Sequence, residues 1–169
     1  MVNTLHRLTR VDLTEINGMS ESTVLTVLSE TGTDMSACPT EKHFASWLAL
    51  SPGTKVSGAK RLSGRTRASA NRAAAFRMAA HALANSKCAL GAFYRRLRAR
   101  LGAPKPITAT AHKPARIFYR MLRTKIPFID TGQDYYDRQY RQRLTRSLKK
   151  RAAQLGFDLI PLPSAISTA

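Results

Sequence analysis

Apolar residues recur at helical spacing along nearly the whole chain, which predicts a mainly α fold. Leu5, Leu8, Val11 and Leu13 predict a short first helix ending near the turn Ile16-Asn17-Gly18-Met19. Ser20 is placed to cap a second helix over 21–28, with Val24, Leu25 and Leu28 on one face. A loop rich in Gly, Asp and Thr follows, and Thr40 then caps a third helix over 41–50, with Phe44, Trp47 and Leu48 at core spacing. Residues 51–64 lose the period and read as a loop with room for one short hairpin. The longest helix is expected over 68–85, where Ala73, Phe76, Ala80 and Leu83 share one quadrant flanked by Arg72 and Arg77. A further helix over 90–101 should turn Phe93, Leu97 and Leu101 inward and display Arg95, Arg96, Arg98 and Arg100. The Pro-containing stretch 103–106 breaks the chain, and a helix over 107–125 carries Pro114 inside it, which costs a backbone donor and should kink it. The last helix, 134–155, sets Tyr136, Tyr140, Leu144 and Leu148 in i, i+4 register. The expected organisation is a helical-hairpin segment over 1–33, a small helical domain with a long C-terminal helical arm over 34–159, and a mobile tail over 160–169.

Charge changes this picture more than composition does. The 169 residues include 28 Lys and Arg against 10 Asp and Glu, a formal charge of +18. Nineteen of the cations lie between Lys42 and Phe128, a stretch without one acid, while the acids occupy the two flanks. Surfaces normally intersperse both signs, so an acid-free stretch this long points to a polyanionic partner. At 43% apolar the chain is not a disordered basic tail. It has no run of roughly 20 apolar residues and no secretory signal over 1–10, so a cytoplasmic, nucleoid-associated protein with no membrane partner is expected. Cys38 and Cys88 lack metal-ligand spacing and read as reduced thiols. His6, His43, His81 and His112 form no ligand pair, so no metal site is expected. Walker and GxGxxG loops are absent.

Three features bear on chemistry. The helix–turn–helix at 12–29 resembles a helix-hairpin-helix, in which a tight glycine turn, here at Gly18, exposes backbone N–H groups that can hold one DNA phosphate. Asn17 and Ser20 replace the usual proline and second glycine, and a plain αα-hairpin would look much the same. The loop 52–61 places Ser57 beside Gly58 among Lys55, Lys60 and Arg61, a setting suited to attack on a phosphodiester, though Ser-Gly in a basic loop is commonly just a turn. Third, the series Arg61, Arg65, Arg67, Arg72 and Arg77, continued at 95–100 and 116–125, suits sequence-independent phosphate contact. The interleaved aromatics Phe76, Phe93, Tyr94 and Tyr119 read as core rather than base-stacking platforms.

The ordered runs Phe44-Ala-Ser-Trp-Leu-Ala-Leu-Ser-Pro-Gly53, Ser57-Gly58-Ala59-Lys60, Gly64-Arg-Thr-Arg67, Ser69-Ala-Asn-Arg72, Leu90-Gly-Ala-Phe-Tyr-Arg-Arg96, Ala109-Thr-Ala-His112 and Gln133-Asp-Tyr-Tyr136 resemble the C-terminal domain of the insertion-sequence one-hundred-ten type transposases. That group includes the Piv-type invertases and the bridge-RNA-guided recombinases, and the likeness extends over about 11–159. The resemblance implies DNA transposition and recombination, with Ser57 as a nucleophile forming a transient phosphoserine link to DNA. Gly58 would give access, and Lys60, Arg61 and Arg67 would hold phosphates. It also implies that Mg²⁺ is held by carboxylates of a separate RuvC-like domain, so that no cofactor binds this chain itself. The chain then reads as a truncated transposase, inactive alone, with DNA, a guide RNA, a second copy and a RuvC-like domain in trans as candidate partners. Pro106, Pro114, Asn17 and Ser20 depart from the expected pattern. A non-catalytic nucleic-acid-binding remnant is the rival reading, and a basic ribosome-associated protein a further one.

Overall fold

Capping side chains mark where three of the described α-helices begin. The computed structural model describes residues 2–51, 53, 55–63 and 73–160, with the side chains of 2–4, 55, 56 and 61–63 left aside. The elements follow in the order α1 (Val2–Thr9), α2 (Glu21–Thr31), α3 (Glu41–Trp47), β1 (Lys55–Ser57), β2 (Lys60–Ser63), α4 (Ala74–Ala82), α5 (Ala89–Leu101), α6 (Lys105–Thr124) and α7 (Gly132–Gln154). The fold is mainly α, as the periodicity predicts. Ser20 Oγ accepts from Thr23 N–H at 3.3 Å and Thr40 Oγ1 from His43 N–H at 3.4 Å, so both expected caps are in place. The Cys88 thiol caps α5 in the same way, accepting from Gly91 N–H at 3.2 Å. The first helix stops at Thr9, earlier than expected. Arg10 adopts φ +58° there, and Leu13–Glu15 forms a separate 3-10 turn capped by the Asp12 carboxylate. At the other end of α3, Ala49 takes φ +56° and Leu50 N–H returns to the Ala45 carbonyl at 3.0 Å.

Three phenylalanines from three helices meet at the centre. Phe44 of α3 stacks on Phe118 of α6 at 6.3 Å, and Phe76 of α4 meets Phe118 edge-on at 5.5 Å. Around them one continuous core runs from Leu5, Val11 and Ile16 through Val24 and Val27 to Met121 and Leu122. Helix α6 is the spine, because α3, α4 and α5 all pack on it. A smaller cluster of Leu83, Cys88 and Leu90 joins the start of α5 to α6 through Ile117. Helix α7 packs on α5 and buries no residue completely.

Several elements differ from their sequence expectation. Helix α4 spans nine residues and extends as a 3-10 turn through Asn85; residues 68–72 lie outside the described residues. The longest described helices are α7, with 23 residues, and α6, with 20. The expected quadrant holds, since Ala73, Phe76, Ala80 and Leu83 are all fully buried. On α2 the inward face is Val24 and Val27, and Leu25 is exposed; on α3, Trp47 is 44% exposed and leans on Phe44. Helix α5 is flanked by α6 and α7. Leu90, Gly91 and Tyr94 are buried, Phe93 and Leu97 are half-buried, and Leu101 is exposed rather than inside. Pro106 falls in the first turn of α6, where the missing N–H has no helical partner to lose. The helix continues through a buried Pro114. Residues 161–169 of the expected tail lie outside the described residues. Among the described residues no helix is long and apolar enough to cross a membrane.

Candidate functional site

The hairpin left open by the sequence forms, and it carries the serine. Strands β1 and β2 pair antiparallel with Ser57 opposite Lys60, Val56 opposite Arg61 and Lys55 opposite Ser63, with an irregularity between Lys55 and Val56. The two connecting residues both adopt positive φ, +47° at Gly58 and +53° at Ala59. Two such residues in succession are the signature of the tight turn whose twist matches that of the strands it joins. Ser57, Gly58, Ala59 and Lys60 are all exposed, and a Cβ added at Gly58 would meet nothing within 4 Å. Directly opposed residues of an antiparallel pair share a face, with Cβ atoms about 4.5–5.5 Å apart. Ser57 and Lys60 therefore share one face of the hairpin beside its turn, both exposed. The arrangement suits a phosphate oxyanion beside an attacking oxygen. No residue of the hairpin is a carboxylate or an imidazole, so the hairpin itself offers no such side chain to take a proton from the hydroxyl.

The other site candidates are distributed differently. Gly18 adopts φ +84° in the turn before α2, and a Cβ there would come within 2.6 Å of the Ala79 carbonyl oxygen on α4. One side of this turn is thus pressed against α4, while Gly18 remains exposed on the other. Arg77, also on α4, is half-buried and engaged with a neighbour. Lys55 and Arg61 hold strand positions on either side of the Ser57–Lys60 pair. Arg65, Arg67 and Arg72 lie outside the described residues. The structure thus brings Ser57, Gly58 and Lys60 together, with Lys55 and Arg61 adjacent, and sets Gly18 and Arg77 on the helical body.

The acid-free stretch is less free than it looks in sequence. Arg95 and Arg96, expected on display, are half-buried. Arg95 donates to the Ala84 and Ser86 carbonyls and to Gln133, and Arg96 donates to Asp137 at 2.8 Å. Arg116 is paired with Glu41. Arg123 donates to the Pro39 carbonyl and the Tyr119 hydroxyl, and Lys125 to the Thr9 carbonyl at 3.0 Å. These cations tie segments together, using acids contributed by the flanks and carbonyls from the flanks and from within the stretch. Lys42, Lys60, Lys87, Arg98, Arg100, Lys105, Lys113 and Arg120 remain exposed. Phe76, Tyr94 and Tyr119 are buried as expected of core residues, whereas Phe93 is half-buried. His112 on α6 is held below its usual pKa by burial first, then by Arg116 and Lys113, with Glu41 opposing. Among the described residues no three His, Cys, Asp or Glu side chains could hold a metal ion.

One group of residues went unrecognised in the sequence as a site. Arg96 of α5 lies over the Tyr140 ring of α7 at 3.5 Å and over Tyr136 at 5.1 Å, beside an open cleft. The i, i+4 register of the two tyrosines was the available signal, but it indicated packing rather than a concavity.

Neither the curated proteins nor the solved structures contain a significant match to the chain. Residues 12–95, running from the Asp12 cap through the hairpin and α4 into α5, match the sequence model of the Transposase IS116/IS110/IS902 family. With the tight serine turn and the ordered motifs from Phe44 to Arg72 inside that span, the chain carries a transposase domain of the IS116/IS110/IS902 family.

Proposed function

We propose that this transposase domain binds DNA and supplies the serine nucleophile for strand exchange. The observation that carries the proposal is Ser57 exposed on a tight, acid-free turn with Lys60 directly opposite it. In the proposed step the Ser57 oxygen attacks a DNA phosphorus, an O–P bond forms to serine, and a P–O bond to deoxyribose breaks. The serine proton passes to an external base, and the departing sugar oxygen is protonated in turn. Religation runs the same exchange backward, so the phosphodiester energy is conserved in the phosphoserine link. Lys60 offsets negative charge on the phosphoryl oxygens, and Gly58 leaves room for the backbone of the substrate. Lys55, Arg61, Arg65, Arg67, Arg72 and Arg77, with the Gly18 turn, are assigned to positioning phosphates.

The described residues do not form a holder for Mg²⁺. The metal and the activating base are therefore assigned to a separate RuvC-like domain, and no step by this chain is routed through them. A guide RNA and a second copy of the chain complete the proposed assembly, which would sit with the nucleoid in the cytoplasm.

The test is to combine the chain with a RuvC-like domain, Mg²⁺ and duplex DNA and resolve covalent protein–DNA adducts on a denaturing gel. An adduct with the wild type that vanishes in Ser57→Ala and weakens in Lys60→Ala is expected. Retained DNA binding with no adduct in any pairing would leave the chain a binding module and remove Ser57 from the reaction.

A further inference from the structure

We propose that the cleft between α5 and α7 is a binding site for an unpaired nucleic-acid strand, separate from the serine hairpin. The cleft measures about 410 Å³ and is lined by Phe93, Arg96, Leu97, Arg100, Tyr140 and Arg143, among others. That volume falls within the roughly 300–1,000 Å³ of small-ligand clefts, which suits one nucleotide unit. Its walls combine the two elements that single-strand sites use, aromatic and apolar surface for a base and guanidinium groups for phosphates.

The cleft is already organised. Arg96 is held by Asp137 at 2.8 Å and by stacking on Tyr140 at 3.5 Å, and Phe93 meets Tyr136 edge-on at 6.3 Å. One terminal nitrogen of Arg96, Nη1, is buried with no hydrogen-bond partner among the described residues. Arg100 and Arg143 are exposed and pair with no carboxylate among the described residues; the Nε of Arg143 donates to the Gln139 carbonyl of its own helix. The cleft thus holds one guanidinium fixed by its neighbours and two others turned to solvent.

A track leads out of it. Arg146 and Lys150 follow Arg143 at i+3 and i+7 on α7, so the three cations share one side of the helix over about 10 Å. Every residue from 141 to 151 is exposed on this arm, and the chain has seven Lys or Arg between 138 and 151 with no acid before Asp158. A self-associating arm would have to bring these like charges together, whereas a phosphodiester backbone neutralises them. The base occupies the cleft against Tyr140, Leu97 and Phe93, its phosphate lies between Arg100 and Arg143, and the following phosphates run along Arg146 and Lys150.

Fluorescence anisotropy with labelled ten-nucleotide oligo-dT, ten-nucleotide oligo-U and a DNA duplex tests the proposal on the full chain. In Arg100→Glu/Arg143→Glu, affinity for single strands should fall about tenfold or more, with duplex binding affected less. The control Lys42→Glu/Lys105→Glu removes equal charge at exposed positions outside the cleft and should cost single strands less than about threefold. Equal losses in both variants, or equal proportional losses for single strand and duplex in the cleft variant, would overturn the site. Polyglutamate competing as well as oligo-dT would reassign it to an acidic peptide and also overturn the proposal. The dT and U arms decide whether DNA or RNA is preferred. Photo-crosslinking of a 5-iodouracil strand should map to α5 and α7, and mapping to 55–63 would refute it. The serine proposal is read by covalent adducts and this one by strand affinity and crosslink position, so the failure of either proposal is visible separately from the other.

Discussion

Gly18 and Gly58 both adopt positive φ, yet an added methyl group would meet different surroundings at the two positions. At Gly18 it would lie 2.6 Å from the Ala79 carbonyl oxygen and 3.1 Å from Leu83 Cγ; at Gly58 it would meet nothing within 4 Å. Gly18→Ala therefore combines left-handed strain with a clash against rigid helix backbone and should destabilise the fold by about 2–4 kcal/mol. Gly58→Ala adds only the strain and should cost about 1–2 kcal/mol, confined to the hairpin. Urea denaturation of the two variants checks the contrast, and equal midpoints would mean that the turn before α2 is not pressed against α4. Both glycines were legible in the sequence as turn residues. That Gly18 also answers to Ala79, 61 positions further on, was not, because no local pattern encodes a close approach between distant segments.

At the scale of elements, caps and core spacing were readable because their causes lie within a few residues. Ser20 and Thr40 each satisfy N–H groups three positions ahead, and Phe44 and Leu48 are four apart. Helix α5 was read less well. Its arginines look like a solvated face until α7 packs on that side and Asp137 and Gln133 take up Arg96 and Arg95. The same principle governs His112, whose neighbours come from two elements, Lys113 and Arg116 on α6 and Glu41 on α3. Burial and the two cations depress its pKa in the folded state below the ordinary 6.5. Above that value His112 is neutral in both states and contributes no pH dependence. As pH falls below it, the unfolded chain takes up the proton first and stability declines. Thermal melts from about pH 7 down to about pH 5 should show a falling Tm in the wild type and a shallower fall in His112→Gln. A profile unchanged by the substitution would remove His112 as the source.

For the whole molecule, the decisive quantity is how the charge of +18 is partitioned. Arg95, Arg96, Arg116, Arg123 and Lys125 serve the fold, so counting cations in sequence overstates the phosphate-binding surface. Enough remain exposed, on the serine hairpin, on the helical body and along α7, for an interface of several phosphates. Duplex affinity should accordingly fall roughly 10³- to 10⁵-fold between 50 and 200 mM salt, as for about 6–10 phosphate contacts. Titrations at several salt concentrations give the slope directly, and a flat response would refute an electrostatic interface. Substituting Arg116 should leave that slope unchanged while lowering stability, because its charge is spent on Glu41.

The sequence by itself determined the mainly α class, most helix starts, the inward positions of Phe44 and Phe76 on their own helices and the ordered motifs that place Ser57 in a transposase domain. All of these follow from residue identity and short-range spacing. Only the tertiary structure decided which arginines face solvent and that Lys60 stands opposite Ser57. It alone also showed that α5 and α7 enclose a cleft. Burial, strand register and ion pairing depend on which distant segments meet, and that information resides in the packing of the chain rather than in any local stretch of it.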